Sequence, residues 1–276
     1  IRPLALILCL VSCIFLAFGQ PGTTIADIDI HILPVFDGYQ KYNRWLPLKI
    51  TASSTDENLE GEVAVETQNG LYSAPVVLYG TTRKEQYLYV LPESFRHSLR
   101  VRVTDKNEKE VMQKEVPLIT IPPEDMLIAA VAHSDRGLEF LTEASHDAKS
   151  PRIYVSYLNA GSLPDRRKGY DSVDAVVLGD VSADEFSANQ KKALTDWVYA
   201  GGTLIVSGGA NSQNLMGTFV EALLPVRIDG TRVLSSLSSL PQQFGYSIRG
   251  VPIVVASSKL SESAGSKIIA VEANGL

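Results

Sequence analysis

From Thr24 to about Ile121 apolar and polar residues alternate in short runs. Ile28, Ile30 and Ile32 come first, then Leu46, Leu48 and Ile50, then Val63 and Val65. Val76-Val77-Leu78, Tyr87-Leu88-Tyr89-Val90, Leu99, Val101 and Val103, and Val111 to Ile119 follow. A period of two gives a strand one buried and one wet face. Turn-forming groups separate the runs, at Asp56-Glu57-Asn58, Gln68-Asn69-Gly70 and Asp105-Lys106-Asn107. The spacing predicts an N-terminal all-β, immunoglobulin-like sandwich over residues 24–121.

The period changes after Ile121-Pro122-Pro123-Glu124, where consecutive prolines hold the chain extended and predict a linker. Met126 to Ala132 is a continuous apolar run, as in a strand buried on both faces. A helix start is expected at Ser134-Asp135, with Leu138, Leu141 and Ala144 along one face. Ile153 to Leu158 and Ala175 to Leu178 read as further buried strands. Ser187-Ala188-Asn189-Gln190 is a capping box, and the helix it opens carries Leu194, Trp197 and Val198 before stopping at Gly201-Gly202 and passing to the strand Thr203–Val206. This rhythm predicts an α/β domain with a flavodoxin-like parallel sheet over 125–276. Shorter apolar pieces follow at Phe219 to Leu224, Pro252 to Ala256 and Lys267 to Val271. No stop signal precedes Leu276, so this second domain is expected to be truncated.

The first nineteen residues bear on location. Arg2 precedes an apolar run from Pro3 to Phe18, and Ala17-Phe18-Gly19 has the small-x-small pattern of a cleavage site. Residues 1–19 therefore read as a signal peptide, with an uncleaved membrane anchor as the alternative. Leu10-Val11-Ser12-Cys13 also has a lipobox pattern, although a polar tether does not follow it. Both cysteines, Cys9 and Cys13, fall in this leader. Cleavage after Gly19 leaves no thiol, which excludes both disulfide staples and a Cys nucleophile. The net charge of −6 is dispersed, and the basic run Arg166-Arg167-Lys168 is isolated. No stripe is available to neutralise a phosphate backbone, and nucleic acid is not an expected partner.

In open parallel sheets the reactive crevice lies beyond the carboxyl ends of the strands. That singles out His133, Ser134 and Asp135, then Asp180, then Ser207-Gly208-Gly209. Ser207, His133 and Asp180 supply the residue types of a hydrolytic triad, but Val206-Ser207-Gly208 lacks the leading glycine of a nucleophile elbow. Asp180 also precedes Ser182-Ala183-Asp184-Glu185, where a helix cap is the simpler role. Gly208 and Gly209 follow a strand without the Lys-Ser/Thr of a P-loop or the third glycine of a dinucleotide fingerprint, so no cofactor is expected. His31, His97, His133 and His146 are scattered, with no metal-ligand spacing. Tyr39, Tyr42 and Trp45 form an aromatic cluster that suits either carbohydrate binding or a core anchor at a strand entrance.

Two stretches carry a family resemblance. Gly38-Tyr39 to Trp45-Leu46-Pro47-Leu48-Lys49-Ile50, leading to Gly61-Glu62-Val63, resembles the opening sandwich of a group of uncharacterised bacterial membrane proteins. Tyr170-Asp171-Ser172-Val173-Asp174-Ala175-Val176-Val177-Leu178, taken with Trp197 to Gly209, resembles their class I glutamine-amidotransferase-like domain. The resemblance implies an export leader and a transmembrane helix near the carboxyl terminus. It does not imply the activity: Ser207-Gly208-Gly209-Ala210 offers no thiol, and no His follows His146. The expectation is a non-catalytic protein of the bacterial cell envelope, membrane-associated and facing the extracytoplasmic or periplasmic side, with a protein or other envelope partner. A serine hydrolase using Ser207 and a carbohydrate module using Tyr39 to Trp45 are the rivals.

Overall fold

A computed structural model describes residues 28–93, 96–133, 138–143, 151–235, 252–261 and 268. The leader, Ser134-Asp135 and His146 lie outside them. Nine strands come first: β1 (Ile28–Pro34), β2 (Tyr39–Lys41), β3 (Leu46–Ser54), β4 (Leu59–Thr67), β5 (Gly70–Leu78), β6 (Thr82–Val90), β7 (Ser98–Asp105), β8 (Glu110–Pro117) and β9 (Ile119–Ile121). Seven of them make a sandwich of two antiparallel sheets, ordered β1-β3-β6 and β5-β4-β7-β8. Period-two alternation fixes the register: Ile32 faces Ile50, Leu48 faces Leu88 and Val63 faces Val103. All but Leu88 of these are fully buried, and both sheets feed one core. The turns are held locally, as where Asp105 Oδ1 accepts from the amides of Asn107 and Lys109. At Gly61 a side chain would meet the Thr104 carbonyl oxygen at 1.9 Å, beside the register shift at Val103/Thr104.

The second part is built on β10 (Met126–Val131), β11 (Ile153–Leu158), β12 (Ala175–Leu178) and β13 (Thr203–Val206), all parallel in the order β11-β10-β12-β13. A single turn, α1 (Phe140–Glu143), packs on one face through Leu141, beside Leu138 of the turn before it. The twelve-residue α2 (Ala188–Tyr199) packs on the other through Leu194 and Trp197. Its capping box is in place, with Ser187 Oγ accepting from the Gln190 amide and Gln190 Oε1 from the Ser187 amide. Gly201 takes φ +102°, the left-handed stop that favours glycine. The chain then returns to antiparallel structure as β14 (Val226–Leu234) and β15 (Ile253–Leu260).

The fold class expected for 125–276 is corrected. A flavodoxin-like, amidotransferase-like α/β domain needs a helix in each crossover, so that both faces of a parallel sheet are covered. Between β11 and β12 the chain instead makes two short 3-10 turns, Ala160–Ser162 and Arg167–Tyr170. The face they leave open is filled partly from the sandwich: Val35, Phe36 and Ile121 join Leu127, Val176, Leu178 and Trp197 in one core. With β14 and β15 added, the described chain is mostly β, and antiparallel sheets predominate.

The expected linker is therefore anchored at its start. Ile121 is buried, and β9 pairs in parallel with β2. Around this ribbon polar side chains knit the two parts. Lys41 Nζ reaches both carboxylate oxygens of Asp174 at 2.7 and 2.6 Å, and Asp174 also accepts from the Leu127 amide. Ser156 donates to Asp37 at 2.7 Å, and Ser172 Oγ accepts from the Lys41 amide. No helix among the described residues is long and apolar enough to cross a membrane.

Candidate functional site

Parallel pairing brings the ends of β10, β12 and β13 side by side, which places His133, Asp180 and Ser207 along one edge. Gly179 permits the close approach there, since a side chain at that position would lie 3.2 Å from both Ala132 and Leu138. His133 and Asp180 do meet, but His133 Nδ1 contacts the Asp180 backbone carbonyl at 2.5 Å, not its carboxylate. Nε2 faces Glu185 Oε1 at 3.3 Å. Glu185 is itself held in a capping box with Ser182, whose hydroxyl accepts from the Asp184 amide. The cap of this turn is thus Ser182 rather than Asp180.

Ser207 is exposed, and its amide extends the parallel ladder by donating to the Leu178 carbonyl at 2.9 Å. No hydrogen bond joins its hydroxyl to His133 among the described residues. Both imidazole nitrogens face oxygens other than the Ser207 hydroxyl, so the nucleophile–base contact of a hydrolytic triad is not formed. The pocket at this edge measures about 190 Å³ and is lined by Asp180, Ser207, Gly209, Asn211 and Ser212. Substrate-sized sites run from roughly 300 to 1,000 Å³. Gly208 serves the backbone: its carbonyl accepts from the Ala256 amide at 2.5 Å, fastening the exit of β13 to β15.

The aromatic cluster is divided between two places. Tyr39 packs on Tyr154 with ring centroids 5.3 Å apart, inside the joint. Trp45 meets Tyr72 edge-on at 5.8 Å, carries the Lys168 ammonium 4.0 Å above its ring, and donates its amide to Asp171. Only Tyr42 of the three is largely exposed. It lines a groove of about 950 Å³ with Ile119, Pro122 and Pro123, bordered by the Lys41–Asp174 and Arg44–Asp171 pairs. The described histidines remain apart: His31 pairs with Asp29, and His97 gives its carbonyl to the Leu118 amide. Among the described residues no three His, Cys, Asp or Glu side chains converge on a metal-sized space.

What the sequence did not signal is the density of tyrosine in the joint. The Tyr89 hydroxyl donates to Asp165 at 2.6 Å and accepts from the amides of Asp165 and Arg166. Tyr87 donates to the Leu163 carbonyl, and Tyr170 stacks on Trp197 at 5.5 Å. Burial raises the pKa of all three phenols, and the Asp165 carboxylate adds to the rise. Burial also holds the Lys168 ammonium below the usual lysine range, with Arg166 contributing. These groups are placed for packing and hydrogen bonding at neutral pH.

Residues 27–119 match a family described as a domain of unknown function, DUF8726. No curated protein matches the chain. Among solved structures, an alkylpurine DNA glycosylase, AlkC, of Pseudomonas fluorescens bound to abasic-site DNA is 15% identical. It aligns over 35% of this chain and 31% of its own length, with a TM-score of 0.26. The CARDB domain of the Pyrococcus furiosus PF1109 protein, solved with two metal ions, is 14% identical over 34% of this chain and 86% of that one, with a TM-score of 0.24. Cwp6 from Clostridium difficile is 9% identical over 68% of this chain and 38% of that one, with a TM-score of 0.23. The chain thus spans about a third of the AlkC chain, and overlaps of this quality establish neither a shared fold nor a shared function.

Proposed function

We propose that the protein is an exported, membrane-associated component of the bacterial cell envelope that works by binding or assembly rather than by chemistry. The observation that carries the non-catalytic part is the state of His133, the one described imidazole at the carboxyl edge, whose two ring nitrogens are occupied by Asp180 and Glu185. Among the described residues no base contacts the Ser207 hydroxyl, and the pocket beside it is about 190 Å³. The leader sequence supports export, and the shared core supports a rigid two-part body suited to presenting surfaces. Five of its arginines, Arg44, Arg83, Arg96, Arg100 and Arg102, each face a carboxylate, which favours a protein or other envelope partner over nucleic acid.

Two measurements test this reading. A fluorophosphonate probe should leave the purified protein unlabelled; labelling that disappears in Ser207→Ala makes it a serine hydrolase. The full-length gene product should appear in the membrane fraction and be cleaved by protease added outside spheroplasts. Recovery from the cytosol with residues 1–19 intact removes the envelope assignment.

A further inference from the structure

The sandwich is open along one side. β5 ends the four-stranded sheet and β6 ends the three-stranded one, and the seam between these edge strands holds a slot of about 220 Å³. Ile50, Ala52, Val76 and Leu78 line its floor, each at most 3% exposed. The strand register explains why the slot exists. On β3 the core-facing positions Leu48, Ile50 and Ala52 stand opposite Leu88, Gln86 and Lys84 of β6. Directly paired residues share a face, so β6 presents Val90 and Leu88 to the core and then the two polar side chains Gln86 and Lys84. Gln86 reaches across the seam to donate to the Pro75 carbonyl at 2.9 Å. Lys84 stands at the mouth and forms no ion pair among the described residues, whereas Arg83 and Lys49 both contact Glu85.

We propose that this seam is a binding site for an amphipathic monoanion with an unbranched apolar tail, the tail lying over Ile50 and Ala52 and the head on the Lys84 ammonium. Both parts of the ligand follow from the register: a slot walled by apolar core residues, and at its mouth a cation with no ion pair among the described residues. An apolar cavity of about 150 Å³ accommodates benzene, so the slot takes roughly nine carbons. The proposal is independent of the carboxyl-edge pocket and of where the protein resides.

The experiment is a calorimetric titration of the full chain with straight-chain alkanoates from hexanoate to dodecanoate, below their micelle concentrations. Affinity should rise about fourfold per methylene, the factor expected for burying one such group, and level off near nine carbons. Octanol and octyltrimethylammonium should bind at least tenfold more weakly than octanoate. Lys84→Gln should bring octanoate down to the level of octanol, and Ala52→Leu should abolish binding by filling the slot. Gln86→Trp replaces Ala52→Leu if circular dichroism shows the latter unfolded. No alkanoate binding at millimolar concentration, affinity still climbing through dodecanoate, an unchanged Kd in Lys84→Gln, or undiminished binding in a folded filled-slot variant would each overturn the assignment.

Discussion

Replacing Lys41 with Met tests whether the two parts of the molecule stand or fall together. The substitution keeps the aliphatic stem of a side chain only 11% exposed and removes its two contacts with Asp174, at 2.7 and 2.6 Å. Breaking a fully buried pair costs about 3–5 kcal/mol, because the surviving charge is stranded. Asp174 is 34% exposed and keeps the Leu127 amide, so water replaces part of the lost ammonium and the cost falls to about 2–3 kcal/mol. With a urea m-value of about 3 kcal/mol/M, the midpoint should drop by roughly 0.7–1 M. Lys41→Met with Asp174→Asn should be less damaging than the sum of the two singles by about 1–2 kcal/mol. Trp45 lies in the joint and Trp197 in α2, so Trp197→Phe and Trp45→Phe variants each isolate one reporter, and both should give one coincident transition. A midpoint shift under 0.2 M, strict additivity, or two separated transitions would refute the shared-core reasoning.

Further outcomes follow from single sites. Gly202→Ala would place a methyl 2.3–2.6 Å from the buried Trp197 indole, for a loss of about 3 kcal/mol and a Tm lower by roughly 6–12 °C in a thermal melt. Lys168→Met should cost about 1 kcal/mol in urea and change Trp45 emission in the Trp197→Phe background, because the ammonium leaves the indole face. Glu221 accepts from the Gly217 and Ile228 amides, which hold its pKa below the ordinary 4.5. Its stabilising effect is complete above the unfolded value and is lost as pH falls through the lower folded one, so Glu221→Gln should flatten the decline in stability between pH 5 and pH 3.

Local pattern carried the reading wherever one element could be read by itself. Alternation at Ile28–Ile32 or Leu99–Val103 names a strand and its buried face, and Ser187-Gln190 with Gly201 marks both ends of α2. The joint has no such signature. Phe36, Asp37 and Asn43 all adopt positive φ, which side-chain-bearing residues avoid unless tertiary contacts impose it. The Lys41 amide and the Ser172 hydroxyl lie 131 positions apart. The α/β expectation failed because one well-marked unit, helix to Gly-Gly to strand, was extended over residues 159–174, where Gly, Pro and charged residues break any helical period. At the candidate site the strand ends predicted that His133 and Asp180 would be neighbours. That the contact runs through a backbone carbonyl is a matter of chain direction, which side-chain identity does not encode.

The β2–β9 ribbon has a kinetic consequence. Its three parallel pairs join residues 80 apart, so six of the seven sandwich strands, β3 to β8, lie in the crossover between them. Closing a chain segment of that length costs about 4 kcal/mol in entropy, more than so few pairs return by themselves. The ribbon therefore zips only after the sheets on either side have organised its ends, and in hydrogen exchange its amides should open before those of β4 and β7.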